Sequence, residues 1–338
     1  MGLDHVNPVI VGCWQLAQGH GRDVEDGNAV LEAHFRAGFE LFDCADIYSG
    51  VEELIGRFIA AHGLSADELR VHTKYVPDLA ALPGLQAADV ERAVDRSRAR
   101  LGREVLDLVQ FHWWDYTVPG YLEALDALAA LRHQGAIKAI GLTNFDAERL
   151  REIGERGIDV ASIQVQYSLL DRRPRGDFSA VARGHGVDLL AYGSVAGGLL
   201  SDAYLGRDDL GPEHENRSLT KYRLIVDEIG GWDALQALLR GLRAVADERG
   251  TDIASVAGTW TLQQPGVRAC IVGVRSRRHV SRLAALRDAP PLDDAELARI
   301  AALRQRFPEV PGEVYALERD RQGRHGKVMK YGLNEGAL

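Results

Sequence analysis

The chain has 338 residues, 46% of them hydrophobic and 26% charged, and a formal net charge of -9 at neutral pH. This is ordinary globular usage and speaks against disorder, a fibrous repeat or a membrane protein. The acidic balance leaves no broad basic surface for a phosphate backbone, so nucleic acid is not an expected partner and any anion site must be local.

The elements follow one another as short apolar runs of strand character alternating with longer amphipathic stretches. Strands are predicted at 9–14, 40–45, 70–75, 106–112, 137–142, 162–167, 187–192 and 267–274, and helices at 24–37, 51–62, 88–101, 121–133, 147–156, 178–185 and 232–249. Gly38, Gly63, Gly102, Gly135, Gly157, Gly186 and Gly250 stand where a left-handed cap would end a helix. Strands joined through helices run parallel, and eight such units favour a closed (β/α)8 TIM barrel. An open doubly wound sheet would carry a G-x-G-x-x-G turn after its first strand, and the sequence from Trp14 to Gly21 does not fit it.

One barrel domain is expected over 1–310. Residues 202–222 read as a long polar loop after the seventh strand. A last helix at 294–307 leads to a polar tail or lid at 311–338. Cys13, Cys44 and Cys270 lie in separate apolar runs and read as buried thiols rather than a disulfide framework. No signal-like segment or membrane-length apolar run is present, so no membrane partner and a cytoplasmic location are expected. No pattern in the chain sets an oligomeric state.

In a parallel barrel, side chains just beyond the carboxyl ends of the strands converge on one mouth. The second strand delivers Asp43 and, shortly after it, Tyr48; the third delivers Lys74 and the fourth His112. A phenol with an ordinary pKa near ~10 needs a nearby cation to exchange its proton close to neutrality. Lys74 is that cation, and a buried lysine stays charged when a carboxylate such as Asp43 pairs with it. His112 would hydrogen-bond a substrate oxygen and hold it against the Tyr48 hydroxyl. Singly, each has a structural reading as a cap, a rim residue or a solvated strand end; the joint occurrence at three successive strand ends carries the assignment.

This set resembles the Asp, Tyr, Lys and His tetrad of the aldo-keto reductases, and the sequence is similar to that family from about Val9 to Leu286. The resemblance implies reversible hydride transfer between a nicotinamide cofactor and a small-molecule aldehyde, ketone or alcohol, with no metal. The family's strand-five motif appears as Gly141-Leu142-Thr143-Asn144-Phe145, which implies that Thr143 and Asn144 hold the nicotinamide carboxamide. Gln164 matches a further carboxamide contact, and Tyr192 the ring that stacks under the nicotinamide. Gly197, Gly198 and Leu199 match the backbone beside the pyrophosphate.

From Gly273 through Arg275 and Arg278 to Arg282, arginines cluster where a helix starts, a good seat for a phosphate monoester. On that basis NADP(H) is expected rather than NAD(H). Trp14, Trp113 and Trp114 are expected as walls of a pocket for an aromatic, aliphatic or sugar carbonyl. Two local departures stand out: Gly193-Ser194-Val195 replaces the family's Ser-Pro-Leu, and Arg282 and Leu283 stand where relatives often place Glu and Asn. Another class of function consistent with the same residues is an NADP(H)-binding redox sensor or accessory subunit with negligible turnover. A metal-dependent hydrolase would need a His and carboxylate cluster that the strand ends do not show.

Overall fold

The strands are largely buried on both sides, as in Arg70–Tyr75 and Ser162–Gln166, because one side lines a barrel and the other packs under a helix. In the computed structural model, which describes residues 7–18, 25–209, 211 and 217–333, eight parallel strands close into a barrel in chain order. They are β1 (Val9–Gly12), β2 (Leu41–Asp43), β3 (Arg70–Tyr75), β4 (Leu106–Phe111), β5 (Ile137–Thr143), β6 (Ser162–Gln166), β7 (Asp188–Tyr192) and β8 (Val267–Gly273). The expected strands are thus all present, several trimmed at their ends.

Six helices alternate with the first seven strands: α1 (Gly27–Arg36), α2 (Val51–His62), α3 (Ala87–Leu101), α4 (Tyr121–His133), α5 (Ala147–Glu155) and α6 (Asp177–Gly184). Between β7 and β8 lie α7 (Arg217–Glu228), α8 (Trp232–Arg249) and α9 (Ile253–Leu262); α10 (His279–Arg287), α11 (Asp294–Arg304) and the short α12 (Ala316–Arg319) follow. Aspartates accept hydrogen bonds at helix starts, as Asp146 does from the Arg149 amide at 2.9 Å and Asp252 from that of Ser255 at 2.7 Å. The seven glycines expected to end helices all have positive φ, between 63° and 82°.

The period of two along each strand builds the site. Leu41, Leu108 and Leu190 belong to an apolar cluster with Ile10, Ala161, Ala269 and Ile271. Two residues further along the same strands, on the same face, come Asp43, Gln110 and Tyr192. A dry layer therefore underlies a polar one at the carboxyl end of the barrel.

Two segments differ from expectation. Residues 202–222 are not one loop: a 3-10 turn at Asp202–Tyr204 leads on to α7, whose Leu219, Ile225 and Val226 are buried. The described part of the tail packs on the barrel through Val314, Tyr315, Glu318 and His325, all nearly inaccessible. Glu318 accounts for much of this, since it meets Arg173 at 2.9 Å and Lys221 at 3.8 Å. Among the described residues no helix is long and apolar enough to cross a membrane.

Candidate active site

The four strand-end residues come together. Asp43 is the last residue of β2, Lys74 the penultimate residue of β3, and His112 follows β4 directly. Tyr48 sits in the turn before α2, fixed by backbone bonds from its own amide to Ala45 and from the Val51 amide to its carbonyl. Lys74 Nζ donates to Asp43 Oδ1 at 2.5 Å and to the Cys44 carbonyl at 2.7 Å, and lies 5.0 Å from the centre of the Tyr48 ring. Asp43, Lys74 and His112 are each under 5% exposed, so these interactions act with little screening by water.

Burial pulls the Lys74 ammonium toward neutrality, but the charge of Asp43 and its hydrogen bond oppose this, and the proton is held above the ordinary lysine range. Burial also pushes the Tyr48 phenol up to about 12, with Lys74 opposing. Burial therefore favours the neutral, protonated phenol at Tyr48.

Burial depresses His112 to about 3, helped by Arg319, so the ring is neutral. Its Nδ1 is 3.0 Å from the Thr143 carbonyl, which only accepts, so the ring hydrogen sits on Nδ1. Nε2 is buried without a partner and offers a lone pair.

These groups line one cavity of about 530 Å³. Its walls also include Trp14, Trp114, Thr143, Asn144, Gln164, Tyr192, Gly197, Gly198, Gly273, Arg275 and Arg282. Trp14 packs on Tyr48 with ring centres 4.5 Å apart, and Trp114 edges against His112 at 4.3 Å. Asn144 has a φ of 61° and accepts the Tyr192 hydroxyl at 3.0 Å, and Lys221 donates to the same hydroxyl at 2.9 Å.

Three expected residues do not line the cavity. Trp113 alternates away from His112; its indole donates to the Asp115 and Val118 carbonyls and its ring packs between Phe111 and Tyr121. Leu199 is wholly buried in the core beneath α7 and α8. Arg278 is exposed at the start of α10, while Arg277 beside it pairs with Glu25 at 2.9 Å. Of the arginine run, Arg275 and Arg282 reach the cavity, with His279 between them.

Other wall residues were not anticipated. Tyr315, Met329 and Leu333 reach the cavity from the tail, and Lys221 and Tyr222 from α7. Arg319 lies behind the wall: its guanidinium donates to the carbonyls of Trp113, Trp114 and Asn144, tying the tail to the ends of β4 and β5. No strand-end pattern points to these distant residues. Gln110, also unanticipated, could have been found, because a polar residue two before His112 shares its face.

This architecture, a closed parallel barrel with a lysine, carboxylate and phenol cluster at its mouth, defines an α/β-barrel enzyme scaffold. The aldo/keto reductase family model matches residues 8–305, and the chain belongs to that family. It is 30% identical over 303 residues to a chloroplastic pyridoxal reductase from Arabidopsis thaliana, covering 83% of this chain and 78% of that protein. It is also 30% identical over 193 residues to an NADH-specific methylglyoxal reductase from Escherichia coli, covering 52% and 57%. A match to flagellar radial spoke protein 5 from Chlamydomonas reinhardtii, 29% identical over 256 residues, covers 64% of this chain but only 48% of that protein. Among solved structures, a glycerol dehydrogenase from Gluconobacter oxydans superposes with a TM-score of 0.76 at 26% identity, over 90% of this chain and 94% of the other.

Proposed function

We propose that this protein is an NADP(H)-dependent carbonyl reductase in which Tyr48 is the general acid. The observation that carries the reading is Lys74 Nζ, clamped between Asp43 and the Cys44 carbonyl beside the Tyr48 ring, on the wall of a cavity with aromatic sides. Asp43 keeps the ammonium charged, the ammonium stabilises the phenolate left when Tyr48 gives up its proton, and the phenol aims at the oxygen on which negative charge grows. His112 accepts a hydroxyl hydrogen of the alcohol form through Nε2 and so orients it.

The residues present fit a dinucleotide. At one end Thr143, Asn144 and the Tyr192 ring supply polar contacts and a flat floor. In the middle, Gly197 and Gly198 have φ of 64° and 100°, and a Cβ at Gly197 would lie 2.9 Å from Tyr222, so backbone forms the wall there. At the far end Arg275, His279 and Arg282 suit a phosphate monoester, which favours NADP(H); the NADH-specific relative makes assay of both cofactors necessary. Bound there, the reduced nicotinamide would supply the hydride. Trp14, Trp114, Tyr315 and Met329 would exclude water and cover the apolar part of a small carbonyl substrate.

The test is NADPH consumption over a panel of aldehydes and ketones with the wild type and Tyr48→Phe. The wild type is expected to turn over and the variant to lose about 10²- to 10⁴-fold in kcat, with cofactor binding nearly unchanged. Tight NADPH binding by the wild type without turnover on any carbonyl would favour the accessory, redox-sensing reading instead. Unchanged turnover in Tyr48→Phe would remove the proposed acid.

A further inference from the structure

The carboxylate that holds Lys74 has a second set of partners. Asp43 Oδ1 takes Lys74, while Oδ2 takes Gln110 Nε2 at 2.9 Å and Gln164 Nε2 at 2.9 Å. Gln164 Nε2 also reaches Gln110 Oε1 at 2.9 Å. A carboxylate only accepts, so both amides must turn their nitrogens to Asp43, and the orientation of each is fixed by chemistry. Gln110 is fully buried and Gln164 is 5% exposed, so water does not compete.

The barrel makes room for this bridge. Gln110 is paired in register with Lys74 on one side and with Gly141 on the other. A Cβ at Gly141 would lie 2.9 Å from Gln110 Cγ and 3.2 Å from Ser162 Oγ. The missing side chain at 141 is therefore what lets Gln110 lie across to Asp43. Gln164, with its nitrogen committed, leaves its carbonyl end to the cavity it lines.

We propose that Gln110 is a positioning residue that ties Gln164, on the cofactor side of the cavity, to the Asp43–Lys74–Tyr48 proton relay, so that nicotinamide alignment and proton donation are set by one hydrogen-bonded unit. The inference rests on the reading of the cavity as a nicotinamide site. Gln110 touches neither substrate nor cofactor and acts through Gln164 and Asp43. Losing it frees Gln164 to turn and leaves Asp43 with one fewer donor.

The test compares Gln110→Met, Gln164→Met and the double variant by steady-state kinetics with NADPH, by the deuterium isotope effect on kcat with NADPH deuterated at the transferred position, and by NADPH fluorescence titration. Gln110→Met keeps the volume and removes the amide. It should lower kcat about tenfold, raise the NADPH dissociation constant a few-fold and increase the isotope effect, because hydride transfer becomes slower than product release. The double variant should be no more than about twofold worse than the worse single variant, as for residues acting as one unit. Multiplying effects in the double variant, or a Gln110→Met enzyme with unchanged kcat and isotope effect, would overturn the proposal. Should Gln110→Met not fold, Gly141→Ala displaces the same side chain without removing its amide and must show the same increase in isotope effect. If the wild type reduces no carbonyl compound, the functional reading fails separately, and non-additive NADPH binding across the same three variants still decides whether Gln110 and Gln164 act together.

Discussion

The two ends of the cavity are built on opposite principles. At the end proposed for the carbonyl, Asp43, Lys74, Gln110 and Gln164 are buried strand-end side chains cross-linked to one another, with His112 buried beside them. At the end proposed for the phosphate, the charged groups come from a loop and the start of α10, and Arg282 is exposed to solvent. The first arrangement gives strong, fixed electrostatics with little tolerance for change; the second gives an attraction that water and salt screen. Chemistry needs the former, whereas a site that must bind and release a cofactor is served by the latter.

Lys74→Met breaks the contrast most severely, because it leaves Asp43 buried without its cation. Activity should fall about 10²- to 10⁴-fold, and unfolding by urea should show a loss of about 3–5 kcal/mol, as for a broken buried pair. A variant of wild-type stability would mean that the pair is more solvated than its burial indicates.

Acid sharpens the same contrast. His72 and His112 are held near 3 and His279 near 4, in each case chiefly by burial, against an ordinary value of 6.5. Between those values and 6.5 the unfolded chain binds more protons than the folded one, so stability is lost as pH falls through this window. Each such histidine contributes up to about 1.4 kcal/mol per pH unit. The melting temperature measured from pH 7 to pH 4 should therefore drop, and replacing His72 with Gln should flatten the fall. A flat profile in the wild type would show that these rings are not held neutral.

The smallest effect belongs to the exposed end. Changing Arg275 and Arg282 together to Ala should raise the NADPH dissociation constant about tenfold, equivalent to about 1.4 kcal/mol, with little change for NADH and with melting temperature intact. Added salt should narrow the NADPH difference. Equal weakening of both cofactors would undo the assignment of these arginines to a phosphate monoester.

The barrel and the polar cluster at its mouth were legible because both follow from local periodicity. A strand's period of two fixes which residues face inward, and the helix-capping glycines mark where each unit closes. Asp43, Lys74 and His112 could thus be placed on one mouth from sequence alone. Trp113 was misplaced by the same rule that placed His112, since adjacent residues at a strand end face opposite ways. Leu199 and Arg278 were adopted with their neighbours, although the fold turns one into the core and the other to solvent.

The order of apolar and polar residues along the chain determined the architecture and which chemical groups meet at the mouth, because those depend on spacing within single elements. Tertiary structure decided the protonation of those groups and the cover over them. Burial set Tyr48 and His112 in their neutral forms, and the tail found its seat through Glu318 and Arg319, whose partners lie more than a hundred residues away for Arg173, Asn144 and Trp114. Desolvation and long-range pairing are properties of the assembled molecule, and no local pattern in a chain encodes them.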